Sequence, residues 1–449
     1  MRFSGFLAAI LATAGTSVGA TAVDASLRPQ LRSTSAIDDA VTVVLSSNNL
    51  YRSPRPVVRP DSGTPVAAEV IQVSTRDERA FQNWIGGFKR RARAQGISDR
   101  VLEDAFRGVT YDPDVIKRDR NQSEFTKTIW EYLDSAVSDT RIRNGKDALR
   151  KHARTLDAIE RHFGVEKEVV VAVWGLESAY GSFRGKNDII RSLSTLAFDG
   201  RRGAFFEEQL IAALKILQNG DTTPRQMTGS WAGAMGHTQF MPTSYLAYAV
   251  DFTGDRKRDI WSDDPTDALA STAAYLKRFG WIKGQPWGVE VQLPQGFNFA
   301  LADRGIQRMP SQWAQIGVVD MNGRAVRDYG AASILLPAGG SGAAFMIFKN
   351  FEVIERYNTA DAYVIGVGHL SDRIKGGPAI QASWPRGDRA LSFAERKEMQ
   401  KLLTRRGFDT QGVDGRIGPK TISAVRAFQQ ANGLTPDGYA SLKLLRRLR

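Results

Sequence analysis

The chain has 449 residues, 42% of them hydrophobic, which is enough for two or three globular domains with a large core. It contains no Cys, so disulfide bonds, thiolate metal sites, Cys nucleophiles and a lipid-modified N-terminal Cys are excluded. The formal charge is +13, and such a basic surface favours polyanionic partners, which include nucleic acid, acidic lipid and a carboxylate-rich bacterial cell wall.

The first 22 residues have the pattern of an export signal. Arg2 precedes a short apolar run from Phe6 to Ala14, and Ala20-Thr21-Ala22 has the small residues of a cleavage site. That run is too short to span a bilayer, and no later segment is long and apolar enough. We therefore expect a signal peptide over residues 1–22 and a soluble periplasmic or secreted protein that is not a lipoprotein. An uncleaved N-terminal anchor is the alternative. Export would also make nucleic acid a less suitable partner for the basic surface.

Residues 23–76 are expected to be a disordered linker, because the stretch from Tyr51 to Pro60 is basic and rich in proline. Helical periodicity begins at Phe81, where apolar residues recur at i, i+3, i+4 and i+7. Helix-like segments then continue through Ala158, from Phe205 to Leu217, from Ala268 to Phe279 and again after Asn358.

The region 286–347 has a different pattern. Its short alternating runs, Val289 to Leu293 and Ala344 to Ile347, predict a small β element within a mostly helical domain. Gly376-Gly377-Pro378 predicts a boundary, so we place a large domain at residues 77–380 and a small helical domain at residues 390–449. In the small domain Gly418-Pro419 predicts a helix start, followed by the amphipathic stripe Thr421, Ala424, Val425 and Phe428. Residues 391–449 hold 12 Lys and Arg against 5 Asp and Glu, a net charge of +7.

Glu177 is the strongest candidate for chemistry. Val170, Val173, Trp174 and Glu177 fall on one helical face, and Gly181 predicts the end of that helix, so Glu177 lies in its last turn. An apolar face and the negative end of the helix dipole both make a carboxylate costly, and both favour the protonated form that a general acid needs. The alternative is a Glu at a helix end that reaches solvent.

Two further segments carry polar groups among small or aromatic residues. From Ser230 to Pro242, Gly233 and Gly236 allow a ligand to approach the backbone, and the Gln239 amide suits a sugar hydroxyl or an N-acetyl group. A glycine-rich turn before a helix is the commoner explanation of such a segment. Asn358 is a predicted N-cap of a helix, and the functional alternative places Tyr357 and Asn358 at the rim of a cleft.

The segment from Asp251 to Asp259 spaces oxygen side chains like a calcium loop. However, the sixth position is Arg256 rather than Gly and the twelfth is Ser262 rather than Glu, which favours a structural Asp-rich loop over a bound calcium ion. Asp188 and Asp199 are the candidates for a second carboxylate beside Glu177, with surface charges as the alternative. The His residues form no zinc-type pair, and His237 is expected to be a polar wall residue.

Together these motifs make the chain similar to a known family. From about Phe81 to Lys375 it resembles the lytic murein transglycosylase B family, through Trp174 to Ser178, Gly233 to Pro242, Tyr245 to Asp251 and Arg356 to Asn358. The tail resembles the small three-helix peptidoglycan-binding domain, through Gly415 to Thr421, Ala427 to Gln429 and Gly433 to Gly438.

The resemblance implies a mainly α (α+β) protein: a lysozyme-like helical catalytic domain with a small β element, and a three-helix C-terminal domain. It implies that Glu177 is the single catalytic acid and that seven residues bind substrate: Ser230, Gln239, Tyr357, Asn358, Tyr363, Tyr275 and Tyr132. It implies no required cofactor, with calcium at Asp251, Thr253, Asp255 and Asp267 as an option. Two departures are Trp231, where Tyr is common, and the additional acidic residues Asp263 and Asp264.

The implied reaction is non-hydrolytic cleavage of the β-1,4 bond between N-acetylmuramic acid and N-acetylglucosamine, which leaves 1,6-anhydro ends. The implied partners are peptidoglycan glycan strands, with no nucleic acid, and the protein is expected to be a monomer. Two alternatives stay open. A lysozyme-like hydrolase needs a second working carboxylate, and a wall-binding scaffold needs no working acid.

Overall fold

The computed structural model describes residues 75–121 and 127–449. The predicted signal peptide and nearly all of the predicted linker lie outside these residues. None of the helices in the described ranges has both the length and the apolar character needed to cross a bilayer.

The first part of the described chain is helical, as predicted. Its helices are Thr75–Ala94 (α1), Asp99–Ala105 (α2), Pro113–Asn121 (α3), Ile129–Ala136 (α4), Asp139–Lys151 (α5), Ala153–Phe163 (α6), Lys167–Ser178 (α7), Ile189–Asp199 (α8), Gly203–Asn219 (α9), Pro242–Tyr248 (α10) and Thr266–Arg278 (α11). The short strands Asn187–Asp188 (β1) and Thr228–Gly229 (β2) form an antiparallel pair that joins the segment after α7 to the segment after α9.

Helix α7 lies at the centre of this domain. Its residues from Val169 to Gly175 are buried on every side of the helix, because the sequence between them is apolar or small throughout. The predicted apolar face is therefore only part of a fully buried surface. Helix α7 packs against α5, α6, α11 and a later helix, Asp361–Lys375 (α14).

The predicted β element is confirmed as a four-stranded antiparallel sheet. Its strands are Gly288–Gln292 (β3), Val319–Asp320 (β4), Ser333–Leu335 (β5) and Ala344–Ile347 (β6), in the order β4-β3-β6-β5. The helix Pro310–Gln315 (α12) covers it and brings Trp313 into a separate small core with Val291 and Met346. The sequence predicted that helix resumes only after Asn358. The structure has an earlier helix, Lys349–Tyr357 (α13), which begins almost directly after β6.

The C-terminal domain consists of three helices, Phe393–Arg405 (α15), Pro419–Ala431 (α16) and Leu442–Leu448 (α17). The predicted stripe on α16 is buried, and Gly418 caps the helix with Pro at its first position, as predicted. This domain touches the β element: the Gly340 N–H donates to Asp437 at 3.0 Å, and Arg426 Nη2 donates to the Ala302 carbonyl at 2.6 Å.

Candidate active site

Glu177 is the penultimate residue of α7, so the prediction that it lies in the last turn of a helix is confirmed. Its side chain is only 8% exposed, which excludes the alternative of a Glu that reaches into solvent. The Tyr363 hydroxyl donates a hydrogen bond of 2.7 Å to Glu177 Oε1. The two residues are 186 positions apart and meet because α14, which carries Tyr363, packs along α7.

A second tyrosine, Tyr132, lies within electrostatic range of the same carboxyl. Tyr132 in α4 is buried against α14, where a Cβ added at Gly366 would lie 3.0 Å from its ring. Burial raises the pKa of Tyr132, the charge of Arg141 opposes that shift, and the charge of Glu177 adds to it. Tyr363 is thus the predicted site residue that the structure shows in contact with Glu177, and the charge of Glu177 also reaches Tyr132.

The turn after Glu177 has an unusual backbone. Ala179, Tyr180 and Gly181 all have positive φ, at 48°, 58° and 84°. The sequence placed the helix end at Gly181, but α7 ends at Ser178 and Ala179 is its left-handed cap. Left-handed φ costs a non-glycine residue about 1–2 kcal/mol, so the surrounding contacts must hold this turn in place. One of those contacts is the Tyr180 hydroxyl, which donates to the Arg141 carbonyl at 2.7 Å.

The segment from Ser230 to Pro242 is a tight loop that leads into α10, as the structural alternative predicted. Ser230 Oγ accepts the Ala234 N–H at 3.0 Å. The Gln239 side chain is 1% exposed, and its Nε2 donates to the carbonyls of Gly236 at 2.7 Å and Arg184 at 3.0 Å. These bonds show both side chains stabilising the loop, and their binding of sugar stays a prediction.

Tyr275 and Tyr357 form a buried aromatic cluster with Phe240, which belongs to this loop. Ring centroids lie 5.0 Å apart for the tyrosine pair and 5.8–5.9 Å from Phe240. The Tyr357 hydroxyl donates to the Thr238 carbonyl at 2.7 Å, and the Tyr275 hydroxyl donates to the Arg356 carbonyl at 2.6 Å. The observed hydroxyl contacts are therefore with the backbone of the site, and substrate contact by either tyrosine stays a prediction.

Asn358 differs from its prediction. It is the C-cap of α13 rather than the N-cap of α14, and α14 begins only at Asp361, after Ala360. Its Oδ1 accepts the Ala360 N–H at 3.0 Å, which turns the chain between the two helices. The side chain is half-buried at this corner, on the same segment that carries Tyr357.

His237 has a larger role than its sequence indicated. It is 3% exposed, and its Nδ1 accepts a hydrogen bond of 3.1 Å from Trp174 Nε1 on α7. Its Nε2 lies 2.7 Å from the Ser262 carbonyl, so the neutral tautomer protonated at Nε2 satisfies both contacts. Burial lowers the pKa of His237, which favours this neutral form.

Three carboxylates meet where the acidic loop, residues 249–265 between α10 and α11, joins the start of α11. One oxygen each of Asp251, Asp255 and Asp267 lies within 4.8 Å of the others. Asp267 is 2% exposed and accepts the N–H groups of Phe252, Thr253 and Asp259 at 2.9–3.1 Å. Burial raises the pKa of Asp267, backbone N–H groups oppose the shift, and the charge of Asp251 adds to it. Such a cluster of hard oxygen donors fits a divalent cation.

Arg256, in place of the usual Gly, does not prevent the loop from adopting the backbone conformation of a calcium loop at this position. It stands at the position where calcium loops have Gly, and it adopts the left-handed conformation that Gly supplies there, with φ of 71°. The two candidate second carboxylates have structural partners instead. Asp188 caps α8 through the Arg191 N–H at 2.9 Å, and Asp199 pairs with Arg120 at 2.7 Å.

A cavity of about 280 Å³ lies elsewhere, between the β element and the start of α13. Arg304, Gln285 and Phe351 are among its lining residues, and none of the predicted site residues is. Arg304 stacks over Phe351 at 5.0 Å and pairs with Glu355 at 2.6 Å.

Comparison with known proteins places this geometry in a family. The transglycosylase SLT domain model matches residues 80–372, and a peptidoglycan-binding domain model matches residues 394–448. The membrane-bound lytic murein transglycosylase B of Escherichia coli K12 is 32% identical over 250 residues. That alignment covers 54% of this chain and 66% of the relative, so the chain spans slightly less than two thirds of that relative's length.

Solved structures agree with these matches. SltB3 from Pseudomonas aeruginosa, in complex with NAG-anhNAM-pentapeptide, is 49% identical with a TM-score of 0.81, over 82% of this chain and 99% of that one. Slt35 from Escherichia coli, in complex with calcium, is 28% identical with a TM-score of 0.56, over 67% of this chain and 93% of that one. Because the family model matches more than half of its length, this chain belongs to the transglycosylase SLT domain family.

Proposed function

We propose that this protein is a lytic murein transglycosylase. It cleaves the β-1,4 bond between N-acetylmuramic acid and N-acetylglucosamine without water and leaves 1,6-anhydro ends. The observation that carries the proposal is the buried Glu177 carboxyl held by the Tyr363 hydroxyl at 2.7 Å. Family membership supports it, and so do the complexes of SltB3 with NAG-NAM-pentapeptide and NAG-anhNAM-pentapeptide.

In this mechanism Glu177 first acts as a general acid. Because Tyr363 donates to Oε1, the acid proton resides on Oε2 and passes to the glycosidic oxygen as its bond to C1 of the muramoyl residue breaks. The N-acetyl group of the substrate stabilises the positive charge that develops at C1. The N-acetylglucosamine hydroxyl leaves with the proton, and Glu177 remains as a carboxylate.

Glu177 then acts as the base. It takes the proton of the muramoyl C6 hydroxyl as that oxygen bonds to C1, which closes the anhydro ring and restores the acid. Attack within one molecule needs no bound water, and effective molarities for such reactions reach about 10⁵–10⁸ M. The burial of Glu177 supports this step, since a desolvated site limits competing hydrolysis.

One carboxylate suffices for this cycle, whereas a hydrolase uses two. Of the two candidate second carboxylates, Asp188 accepts the backbone N–H of Arg191 as a helix cap, and Asp199 pairs with the Arg120 guanidinium. These contacts favour the transglycosylase over the lysozyme-like hydrolase, and the buried acid favours either enzyme over a wall-binding scaffold.

The proposal extends to the rest of the chain. The tail, with its net charge of +7, tethers the enzyme to the wall and raises the effective concentration of glycan. Domains at residues 77–380 and 390–449 enclose the two family matches. We propose that the mature protein is a monomer exported after removal of residues 1–22.

Calcium has a structural part in this proposal. Asp251, Asp255 and Asp267 would hold the ion, which would neutralise their mutual repulsion and fix the loop. The reaction itself uses no cofactor, because the acid, the base and the nucleophile are Glu177 and a substrate hydroxyl.

The test compares wild type, Glu177→Gln and a matched control, Glu168→Gln, at the other end of α7. Each purified protein is incubated with cell wall, and the muropeptides are analysed by mass. We expect anhydro ends from wild type and the control. We expect at least a 10²-fold loss of turnover in Glu177→Gln, because a general acid contributes about 10²–10⁴-fold. Reducing ends would establish the hydrolase instead, and wall digestion by folded Glu177→Gln would overturn the assignment of the acid.

A further inference from the structure

The hydrogen bonds of His237 connect the end of the Glu177 helix to a loop that lies far along the chain. We infer that His237 is a positioning residue: its neutral imidazole holds the last turn of α7 against the segment from Ile260 to Ser262, and so fixes the Glu177 carboxyl beside Tyr363. The inference rests on the proposed function, since it concerns the same acid. The residues that carry it lie in α7, in the loop from Ser230 to Pro242 and in the acidic loop between α10 and α11.

The backbone of His237 supplies the first half of this connection. Its N–H donates to the Ile260 carbonyl at 3.0 Å, and its carbonyl accepts the Ser178 hydroxyl at 2.5 Å. Ser178 directly follows Glu177, and its Oγ also accepts the Gly181 N–H at 3.0 Å. The residue after the acid is therefore bonded to His237 and to the left-handed turn at once.

The side chain supplies the second half. Nδ1 accepts from Trp174, which lies three residues before Glu177, and Nε2 donates to the Ser262 carbonyl. Arg184 holds that carbonyl from another side, with Nη1 at 2.6 Å from Ser262 and 2.8 Å from the Trp261 oxygen. The imidazole thus bridges α7 and the acidic loop through two different nitrogens.

The turn after Glu177 also packs directly on the imidazole. A side chain at Gly181 would place its Cβ 2.6 Å from His237 Nδ1, so only Gly fits there. The left-handed residues Ala179 and Tyr180 destabilise this turn, and the contacts of His237 offset that cost. Loss of the contacts lets the turn relax toward ordinary backbone angles.

Without these contacts the Glu177 carboxyl would be misplaced, whereas the binding of substrate would be little affected. General acid catalysis requires the proton donor within hydrogen-bond distance of its target, and a displacement of about 1 Å costs about 100-fold in rate. The contacts described here are with protein groups on every side of His237. Weakening them should therefore lower kcat and leave KM nearly unchanged.

The experiment uses full-length protein and soluble glycan strands with peptide stems. His237→Gln keeps an amide near Nε2 for the Ser262 carbonyl but offers nothing to Trp174 at the position of Nδ1. Trp174→Phe removes the same bond from the other side. We expect each variant to lower kcat by about tenfold with KM within about twofold, and we expect the double variant to be no slower than the slower single one.

The matched control is His152→Gln, because the His152 ring packs edge-on against the same Trp174 at 5.5 Å. It changes the packing of that indole and leaves the bond to His237 in place, so kcat should stay within about twofold of wild type. Melting temperatures identify any variant that is unfolded at the assay temperature. If His237→Gln fails to fold, Trp174→Phe and its control decide the question.

Three results would overturn the inference: an unchanged kcat in folded Trp174→Phe, an equal loss in His152→Gln, or multiplicative losses in the double variant. Failure of the proposed function has a different signature, because folded Glu177→Gln would then retain turnover. The two failures are distinguishable in one set of assays.

Discussion

At the scale of single residues, the burial of Glu177 favours a general acid over a glutamate that reaches into solvent. The sequence placed an acid at a helix end, where side chains commonly reach water, whereas in the structure Glu177 is buried, hydrogen-bonded to Tyr363 and within electrostatic range of Tyr132. Those tyrosines come from α4 and α14, far from α7 in sequence. A local pattern identified the acid, and distant residues make its environment.

Asp372 leads to a prediction about pH. It accepts a hydrogen bond of 2.8 Å from Trp287 Nε1, and burial raises its pKa to about 6, with Trp287 and Lys375 opposing the shift. Its folded pKa exceeds the unfolded value near 4, so folding binds a proton between these values and stability falls as pH rises from about 4 to 6. We expect Asp372→Asn to raise the free energy of unfolding at pH 7.5 by about 3 kcal/mol and at pH 4 by well under about 1 kcal/mol.

Urea denaturation at both pH values measures the difference. Glu208→Gln, a change at an exposed position of α9, serves as the control and should show no dependence on pH. An equal effect of Asp372→Asn at pH 4 and pH 7.5 would show that charge burial is not its cause.

At the scale of elements, the acidic loop between α10 and α11 joins two parts of the site. Asp267 holds the loop through Phe252, Thr253 and Asp259, and the next residues, Ile260 to Ser262, hold His237. The resemblance to a calcium loop failed at the sixth position by residue type but not by conformation, because Arg256 takes the left-handed angle.

We predict that calcium stabilises this loop. Three clustered carboxylates repel one another, and a dication removes that repulsion. At a calcium concentration tenfold above Kd the gain is about 1.4 kcal/mol, or a rise of about 2–6 °C in Tm. Thermal melts in calcium, magnesium and EDTA measure it, and Asp255→Asn should weaken the effect while Asp264→Asn should not. Identical Tm values in calcium and EDTA would contradict the prediction.

At the scale of the whole molecule, the C-terminal domain is held against the β element by close backbone contact. Gly339 has φ of 69°, and a Cβ there would lie 2.5 Å from Asp437 Oδ2 and 2.6 Å from Tyr439 Cβ. The connecting segment is fixed as well, since Arg386 donates two hydrogen bonds to Asp134 at 2.7 and 2.8 Å. The tail is therefore in direct contact with the larger domain.

We predict that Gly339→Ala releases the tail. The added methyl group clashes with Asp437 and Tyr439, so the docked form should lose about 1.4 kcal/mol or more, a tenfold change in its population. Limited proteolysis between residues 376 and 390 should then be faster than in wild type. Gly323→Ala is the matched control, because Gly323 has a similar φ of 77° with open space around it. Equal cleavage rates in the two variants would assign the effect to backbone strain instead.

Much of the fold followed from local patterns. Three predictions were of this kind: the helix around Phe81, the alternating run that forms β6 and the helix start at Gly418-Pro419. Each depends only on residues a few positions apart in the sequence. The predicted ends of helices were less accurate where two neighbouring residues could each serve as the cap. Asn358 was expected to cap α14 but caps α13, and α7 ends before Gly181 because Ala179 accepts the left-handed conformation.

The sequence by itself determined most of the elements, and it identified Glu177 as the candidate acid and the acidic loop as a candidate set of oxygen ligands. Only the tertiary structure decided that the acid is buried, that Tyr363 donates to it, and that His237 connects its helix to Ser262. The physical reason is range: helix and strand patterns depend on neighbours a few residues apart, whereas burial and hydrogen-bond partners depend on packing between segments tens to hundreds of residues apart.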